Sequence, residues 1–287
     1  QNGPPLVGHT GPVSAVAAFT ASDGTSRLAT ANFGDGTVRI WDPVTGRQNG
    51  PPLAGHTGPV SAVAAFTASD GTSRLATASI GDGTARIWNP ATGREDGPPL
   101  AGHTGGVLAV AAFTAPDDTP RLATTSEDAT MRIWDPATGS QVGSPLTGPT
   151  GGVRAVAVFA ASDGSPRLAT TSFGNGTVRI WDPFTGCQDG PPLTSRTSGV
   201  LAVTAFNASD GTPYLATAHH DKAVQIWNQR TRTAHTLSLP EKVYALTEHC
   251  GLLIAGTESG YLAFDVSSVP THPANTDSPD TPTPATP

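Results

Sequence analysis

Charge, lysine, sulfur and uninterrupted apolar runs are all scarce in this sequence. Charged residues are 14% of its 287 residues, against about a quarter in ordinary soluble domains. Only two lysines occur, Lys222 and Lys242, and the formal net charge is -7. That balance disfavours nucleic acid as the main partner. Cys187 and Cys250 are too few for a disulfide framework and lack metal-ligand spacing, so reduced thiols are expected. No stretch approaches the roughly 18 apolar residues of a bilayer-spanning helix, so no membrane association is expected. Residues 1–10 carry neither the basic nor the apolar part of a secretory leader. A cytoplasmic location is the expectation. The only methionine is Met131, so the chain reads as part of something longer.

What the sequence has in abundance is punctuation. With 33 Gly and 27 Pro, long helices have no room, because both residues break them. A helical bundle or coiled coil is excluded. The dominant feature is an internal repeat. Residues 1–47 and 48–94 agree at 41 of 47 positions. Tryptophans stand at Trp41, Trp88, Trp134, Trp181 and Trp227, and Phe264 takes the place in a degenerate sixth copy. Each is followed by Asp or Asn, and Gly-His precedes the first three by about three dozen residues.

One unit reads as four short strands. Pro4 to Val7 is an extended lead-in, and Gly8-His9-Thr10-Gly11 is a turn. Val13 to Phe19 is a nearly continuous run of small apolar residues, the pattern of a strand buried on both faces. Asp23-Gly24 turns the chain back into Arg27 to Ala31. Asp35-Gly36 then leads into Thr37 to Trp41, which Pro43 and Gly46 bring to an end. Short strands, tight turns and a fixed period predict an all-β toroid of four-stranded antiparallel blades.

Gly-His followed by Asp-Gly-Thr-Val-Arg-Ile-Trp-Asp (35–42), in six copies, resembles the WD40 β-propeller family over residues 1–266. Arg-Ile-Trp-Asp-Pro-Ala-Thr-Gly (132–139) is similar to the bacterial, especially actinobacterial, arrays. Such arrays often end multidomain signalling proteins. The units end near residues 42, 89, 135, 182, 228 and 265. Six blades are expected, the ring closing if the N-terminal strand, Pro4 to Val7, completes the last one. Gln1-Asn2-Gly3-Pro4 copies Gln48-Asn49-Gly50-Pro51 from inside the array, so a parent with a further unit, and seven blades, stays open. Residues 267–287, with six prolines and almost nothing apolar, read as a disordered Pro/Thr-rich tail.

The resemblance assigns four residues per unit to a structural hydrogen-bond relay. These are His9, Thr30, Asp35 and Trp41 in unit one, and His56, Thr77, Asp82 and Trp88 in unit two. Unit three supplies His103, Thr124, Asp128 and Trp134. A structural staple must recur in every unit, whereas an active site need not, so no catalytic residue is expected. Units four to six depart from the pattern: Pro149 and Arg196 replace histidines, Asn175 replaces the aspartate, and unit six has neither His nor Trp at the relay positions. These blades are expected to be held mainly by packing. No phosphate-binding loop, zinc-protease motif or paired Cys motif occurs. His219-His220-Asp221 invites a metal reading but lacks further ligands in sequence. Surface-loop histidines, with no metal and no cofactor, are the expectation.

The informative positions vary inside this frame. First strands read Val-x-Ala-Val, with x being Ser14, Ser61, Leu108, Arg154 and Leu201; unit six has Tyr244 there, with Lys242 just ahead. Loops before the third strand carry Phe33, Ile80, Glu127, Phe173, and His219 with His220. The resemblance places both sets at the top face, where partners dock. The competing readings are neutral drift at x and rings folded down on the neighbouring blade. The leading functional reading is a non-catalytic scaffold, a monomeric propeller within a longer chain, for a protein or peptide partner. The alternatives are the regulatory propeller of an enzyme whose catalytic domain lies upstream, and a small-ligand-binding propeller.

Overall fold

The computed structural model describes residues 5–147, 151–161, 163–172, 176–194 and 199–266. Pro4, Pro149, Phe173, Asn175, Arg196 and the segment 267–287 lie outside the described residues, and so do the readings that rest on them. Six antiparallel sheets follow one another along the chain, and no helix occurs among the described residues. Each begins with an inner strand: Val13–Thr20, Val60–Thr67, Val107–Thr114, Val153–Ala160, Val200–Asn207 and Val243–His249. Second and third strands pair outward in order, as Ser26–Asn32 and Val38–Trp41 do in blade one. A fourth strand comes last where it is present, from two residues in Arg94–Glu95 to eight in Ser140–Thr147. In blade one it is reduced to two bridges, Val38 to Leu53 and Trp41 to Gln48, because Pro51 and Pro52 cannot donate to a ladder.

Alanine and valine fill the strands because each sheet must pack on both sides. One face carries Ala29, Ala31, Val38 and Ile40 and meets Val60, Val63, Leu75 and Trp88 of blade two. The next interface repeats the arrangement, with Ala76, Ala78, Ala85 and Ile87 against Val107, Val110, Leu122 and Trp134. Five such cores join the six blades. A closed ring of six would need a sixth.

The sixth is absent among the described residues. Inner strands of successive blades touch from the first to the last, and no comparable contact joins the last to the first. Val13 and Val16 are 54% and 62% exposed, whereas Val60 and Val63, their copies in blade two, are 0% and 9% exposed. Among the described residues, the expected closure by the N-terminal strand is therefore not made, Pro4 lying outside them. Pro5 to Val7 pairs with no strand, and Tyr261–Asp265, the outermost strand of the last blade, pairs only with Leu252–Thr257. A segment of this kind holds on by one or two bridges, too few to draw two separated blades together.

The same valine in two nearly identical units gives a direct measure of this packing. Val60→Ala should cost about 1–3 kcal/mol through lost burial and a residual cavity. Val13→Ala should stay within about 0.5 kcal/mol, as exposed substitutions do. Urea denaturation of the two variants checks the difference.

Candidate functional site

Every inner strand breaks register at the same point. The break falls between Val13 and Ala15, Val60 and Ala62, Val107 and Ala109, Val153 and Ala155, Val200 and Ala202, and Val243 and Ala245. A bulge leaves its extra residue unpaired and re-aims the side chain. The skipped residues are Ser14, Ser61, Leu108, Arg154, Leu201 and Tyr244, and all six line one central cavity of about 580 Å³. Phe33, Ile80 and Glu127, from the turns before the third strands, line it too. The fold thus gathers nine of the residues that vary between units around a single opening.

The cavity wall is also a seam between blades. Ser14 Oγ donates to the Val60 carbonyl at 2.5 Å and to Ala31 O at 3.2 Å. Ser61 Oγ does the same to Val107 O at 2.7 Å and Ala78 O at 3.1 Å. Arg154 Nε donates to Leu201 O at 3.1 Å. The serines therefore clamp neighbouring inner strands, a role that the sequence pattern did not disclose because the bulge is invisible in it. Ile80 is folded onto the next blade, where a Cβ on Gly106 would meet its Cγ2 at 2.8 Å. Leu201 is nearly buried. Phe33, Glu127 and Tyr244 stay exposed, and the Tyr244 hydroxyl donates to Glu258 Oε1 at 2.7 Å.

Two expectations need correction. His219 is not a surface-loop residue: it ends the strand Pro213–His219 and is fully buried, with Nε2 2.9 Å from Thr217 Oγ1. Strand alternation turns it inward, onto a threonine that also accepts from Trp227 Nε1 at 3.0 Å. His220 and Lys242 are exposed but do not line the cavity. Among the described residues no three His, Cys, Asp or Glu side chains could hold a metal ion.

The relays lie between strands, and none of their residues lines the opening. His56 Nδ1 is 2.9 Å from Asp82, His56 Nε2 is 2.8 Å from Thr77 Oγ1, and Trp88 Nε1 donates to that oxygen at 2.9 Å. Unit three repeats this with 3.0, 2.8 and 2.8 Å for His103, Thr124, Asp128 and Trp134. Since the carboxylate can only accept, Nδ1–H goes to it, and in the neutral imidazole Nε2 then accepts the hydrogen of the threonine hydroxyl, whose oxygen accepts from tryptophan. The glycine of Gly-His has a steric reason: a Cβ on Gly55 would lie 2.9 Å from Trp88 Cη2. Unit one is incomplete. His9 Nε2 reaches Thr30 at 2.7 Å and Trp41 donates to Thr30 at 2.7 Å, but His9 Nδ1 stands 3.7 Å from Asp35. Thr10 donates to the same Asp35 oxygen through both its N–H and its hydroxyl. Unit four keeps the bond from Trp181 to Thr170 at 2.8 Å.

Electrostatics follow from this burial. Desolvation holds the His56 and His103 imidazoles below their ordinary 6.5, with their aspartates opposing it in part. Burial pushes Asp128 up, but hydrogen bonds from Thr130, the Thr104 N–H and His103 outweigh it and hold the carboxyl at about 2. Thr77 and Thr124 are fully buried. The arrangement superficially pairs acid, imidazole and hydroxyl, yet its hydroxyls have no surface on which to meet a substrate.

His103→Ala should cost about 1–3 kcal/mol by leaving Thr124 and Asp128 without their partner, while Ser22→Ala on an exposed turn should be neutral. Denaturation midpoints of the two variants decide it. The pH dependence has a definite sign. A lowered histidine value means that the unfolded chain binds more protons, so stability rises with pH. The midpoint should hold above 6.5 and fall as pH drops through the depressed values of His56 and His103. A second fall should follow between the ordinary aspartate value of 3.8 and about 2, from Asp128. Urea titrations across this range, with Asp128→Asn flattening the lower limb, test both.

Comparison with protein families matches the WD40 repeat (WD domain, G-beta repeat) at residues 4–42, 50–89, 98–135 and 139–182. No curated protein matches the chain. No described helix is long and apolar enough to cross a membrane. The four matches span more than half of the sequence and coincide with the repeating strand order and the His–Thr–Trp relays, and the chain belongs to the WD40 family.

Proposed function

We propose that this chain is a non-catalytic interaction scaffold that holds a protein or peptide at the mouth of its central cavity. Propellers of the WD40 family typically serve as protein-interaction scaffolds. One observation carries the reading for this chain: the two positions whose side chains change most along the array, the skipped residue of each inner strand and the residue before the third-strand turn, line one opening. Phe33 and Tyr244 offer exposed aromatic surface there, Leu108 adds apolar area, and Arg154 and Glu127 supply both signs of charge. Aromatics and arginine are the types enriched at binding hot spots. The opposite end is uniform. Asp23, Asp70, Asp117, Asp163 and Asp210 each cap the N–H two residues on, in five equivalent turns.

The wider setting belongs to the same proposal. The chain is the docking part of a larger, cytoplasmic, actinobacterial-type signalling protein, and it acts as a monomeric propeller without nucleic acid or membrane. The excess of Arg over Lys and the Ala/Gly/Pro-rich composition support that setting. Phe33→Ala, Leu108→Ala and Tyr244→Ala together should leave thermal stability nearly unchanged. Each central residue should cost on the order of 2 kcal/mol of affinity, about thirtyfold in Kd. Pull-down with wild-type and triple-variant protein, read by quantitative mass spectrometry, is the test. Retention of every partner by the triple variant, with loss on changing the Asp23-Gly24-Thr25 turn, would put the site at the other end.

A further inference from the structure

At the end opposite the central cavity the capped turns are alike, but the seams between blades are not. There the end of one inner strand meets the loop that follows the third strand of the next blade. Between blades two and three this leaves a cleft of about 300 Å³. Phe66, Ala68 and Ile87 line it, with Asp70 and Asp96 on one side and the loop of Ala137 and Gly139 on the other. Arg74 donates to Asp96 at 2.5 Å and to Asp70 at 3.2 Å. Both carboxylates are about half exposed while Arg74 is nearly buried, so the rim keeps one negative charge in excess. Between blades one and two the corresponding rim balances Asp23 and Asp70 with Arg27 and Arg74.

Two later seams fill the same places with the chain's own side chains. The repeat equates Phe66 with Phe113 and Ala137 with Phe184. Between blades three and four, the Phe184 ring stands edge-on to Phe113, with centroids 6.1 Å apart. Phe113 and Ala115 are buried there, whereas Phe66 and Ala68 are only half-buried. Val142 takes the place of Asp96 in that seam, so the aromatic plug meets no carboxylate. Between blades four and five, the repeat equates Asp96 with Asp189 and Gly139 with Arg232. Arg167 holds Asp189 at 3.2 Å, as Arg74 holds Asp96. Arg232 then arrives from the next blade, 4.0 Å from the Asp189 carboxylate, and donates to Asp189 O at 2.7 Å and Pro191 O at 2.6 Å. It does so from a φ of 59°, where the other units have glycine. The cleft between blades two and three keeps both receiving sides, Phe66 and Asp96, and has neither filler. We propose that this cleft is a binding site for a partner peptide, separate from the central cavity. The peptide sets an aromatic side chain on Phe66 and an arginine against Asp96 and Asp70. The two fillers stand two positions apart in the repeat, so the aromatic and the arginine lie that close together in the peptide.

The probe is the acetylated, amidated peptide Phe-Thr-Arg, titrated into the full chain and followed by the amide NMR shifts of Ser69, Ala137 and Gly139. Those shifts should saturate, and the peptides Ala-Thr-Arg and Phe-Thr-Glu should bind at least about tenfold more weakly. Ala137→Phe and Gly139→Arg each install a side chain that another seam already carries. Each should weaken Phe-Thr-Arg by at least about tenfold while the urea midpoint holds. Asp96→Asn copies Asn49 of blade one, adds no bulk, and should erase the preference for arginine over glutamate even if a bulkier variant loses its fold. The triple variant at Phe33, Leu108 and Tyr244 should bind the peptide as the wild type does, which separates this site from the central cavity. Shifts that never saturate, or that fall only around the central cavity, overturn the inference. Equal binding of the three peptides overturns it too, as does a preference for arginine that survives Asp96→Asn.

Discussion

A single blade of this protein has no core of its own, and everything else in the structure follows from that constraint. Each sheet is one layer thick, and its alanines and valines are buried only when a second sheet lies against them. Ala29, Ala31 and Ile40 reach burial because blade two brings Val60, Leu75 and Trp88 onto them. Stability in such an array is a chain of neighbour terms rather than a property of one centre. The exposed valines of blade one show the same rule from the other side: an identical sequence stays wet where the neighbour is missing.

The His–Thr–Trp relays work inside this frame. A wide tryptophan at the end of the third strand has to bury its N–H, and a threonine on the second strand accepts it in all five blades that carry the tryptophan. Histidine and aspartate extend the relay to the turns at the top of blades two and three. Blade five reaches its threonine with His219 instead, from the same strand two residues on. The buried hydroxyl sets the demand, and more than one geometry satisfies it.

Function is separated from this frame by one backbone irregularity. The bulge in each inner strand takes one residue out of the paired, two-face pattern and turns it toward the axis. That residue is freed from the packing that holds its neighbours to Val and Ala, so it can be Ser, Leu, Arg or Tyr without cost to the blade. Three of these residues remain tied to structure, since Ser14, Ser61 and Arg154 bond to the next inner strand. The larger ones, with Phe33 and Glu127, give the opening its chemistry.

The strands, the turns and the repeat boundaries were legible in the sequence, because each depends on local pattern, whereas the relay residues of the first three units were implied by the family resemblance. Alternation, Asp-Gly turns and a tryptophan period need no knowledge of what lies across the chain. The family resemblance implied that the variable residues share one face, beside the competing reading of neutral drift. Tertiary structure decided the rest. The sequence around His219 looked like an exposed loop, and only the path of its strand made it a buried hydrogen-bond partner. Ser14 read as either a partner-facing or a drifting position, and only the approach of blade two turned its hydroxyl into a clamp. The open ring is the clearest case, since Val13 and Val60 are indistinguishable in local sequence. What separates them is whether another sheet stands within contact distance, a relation between distant segments that no local pattern encodes.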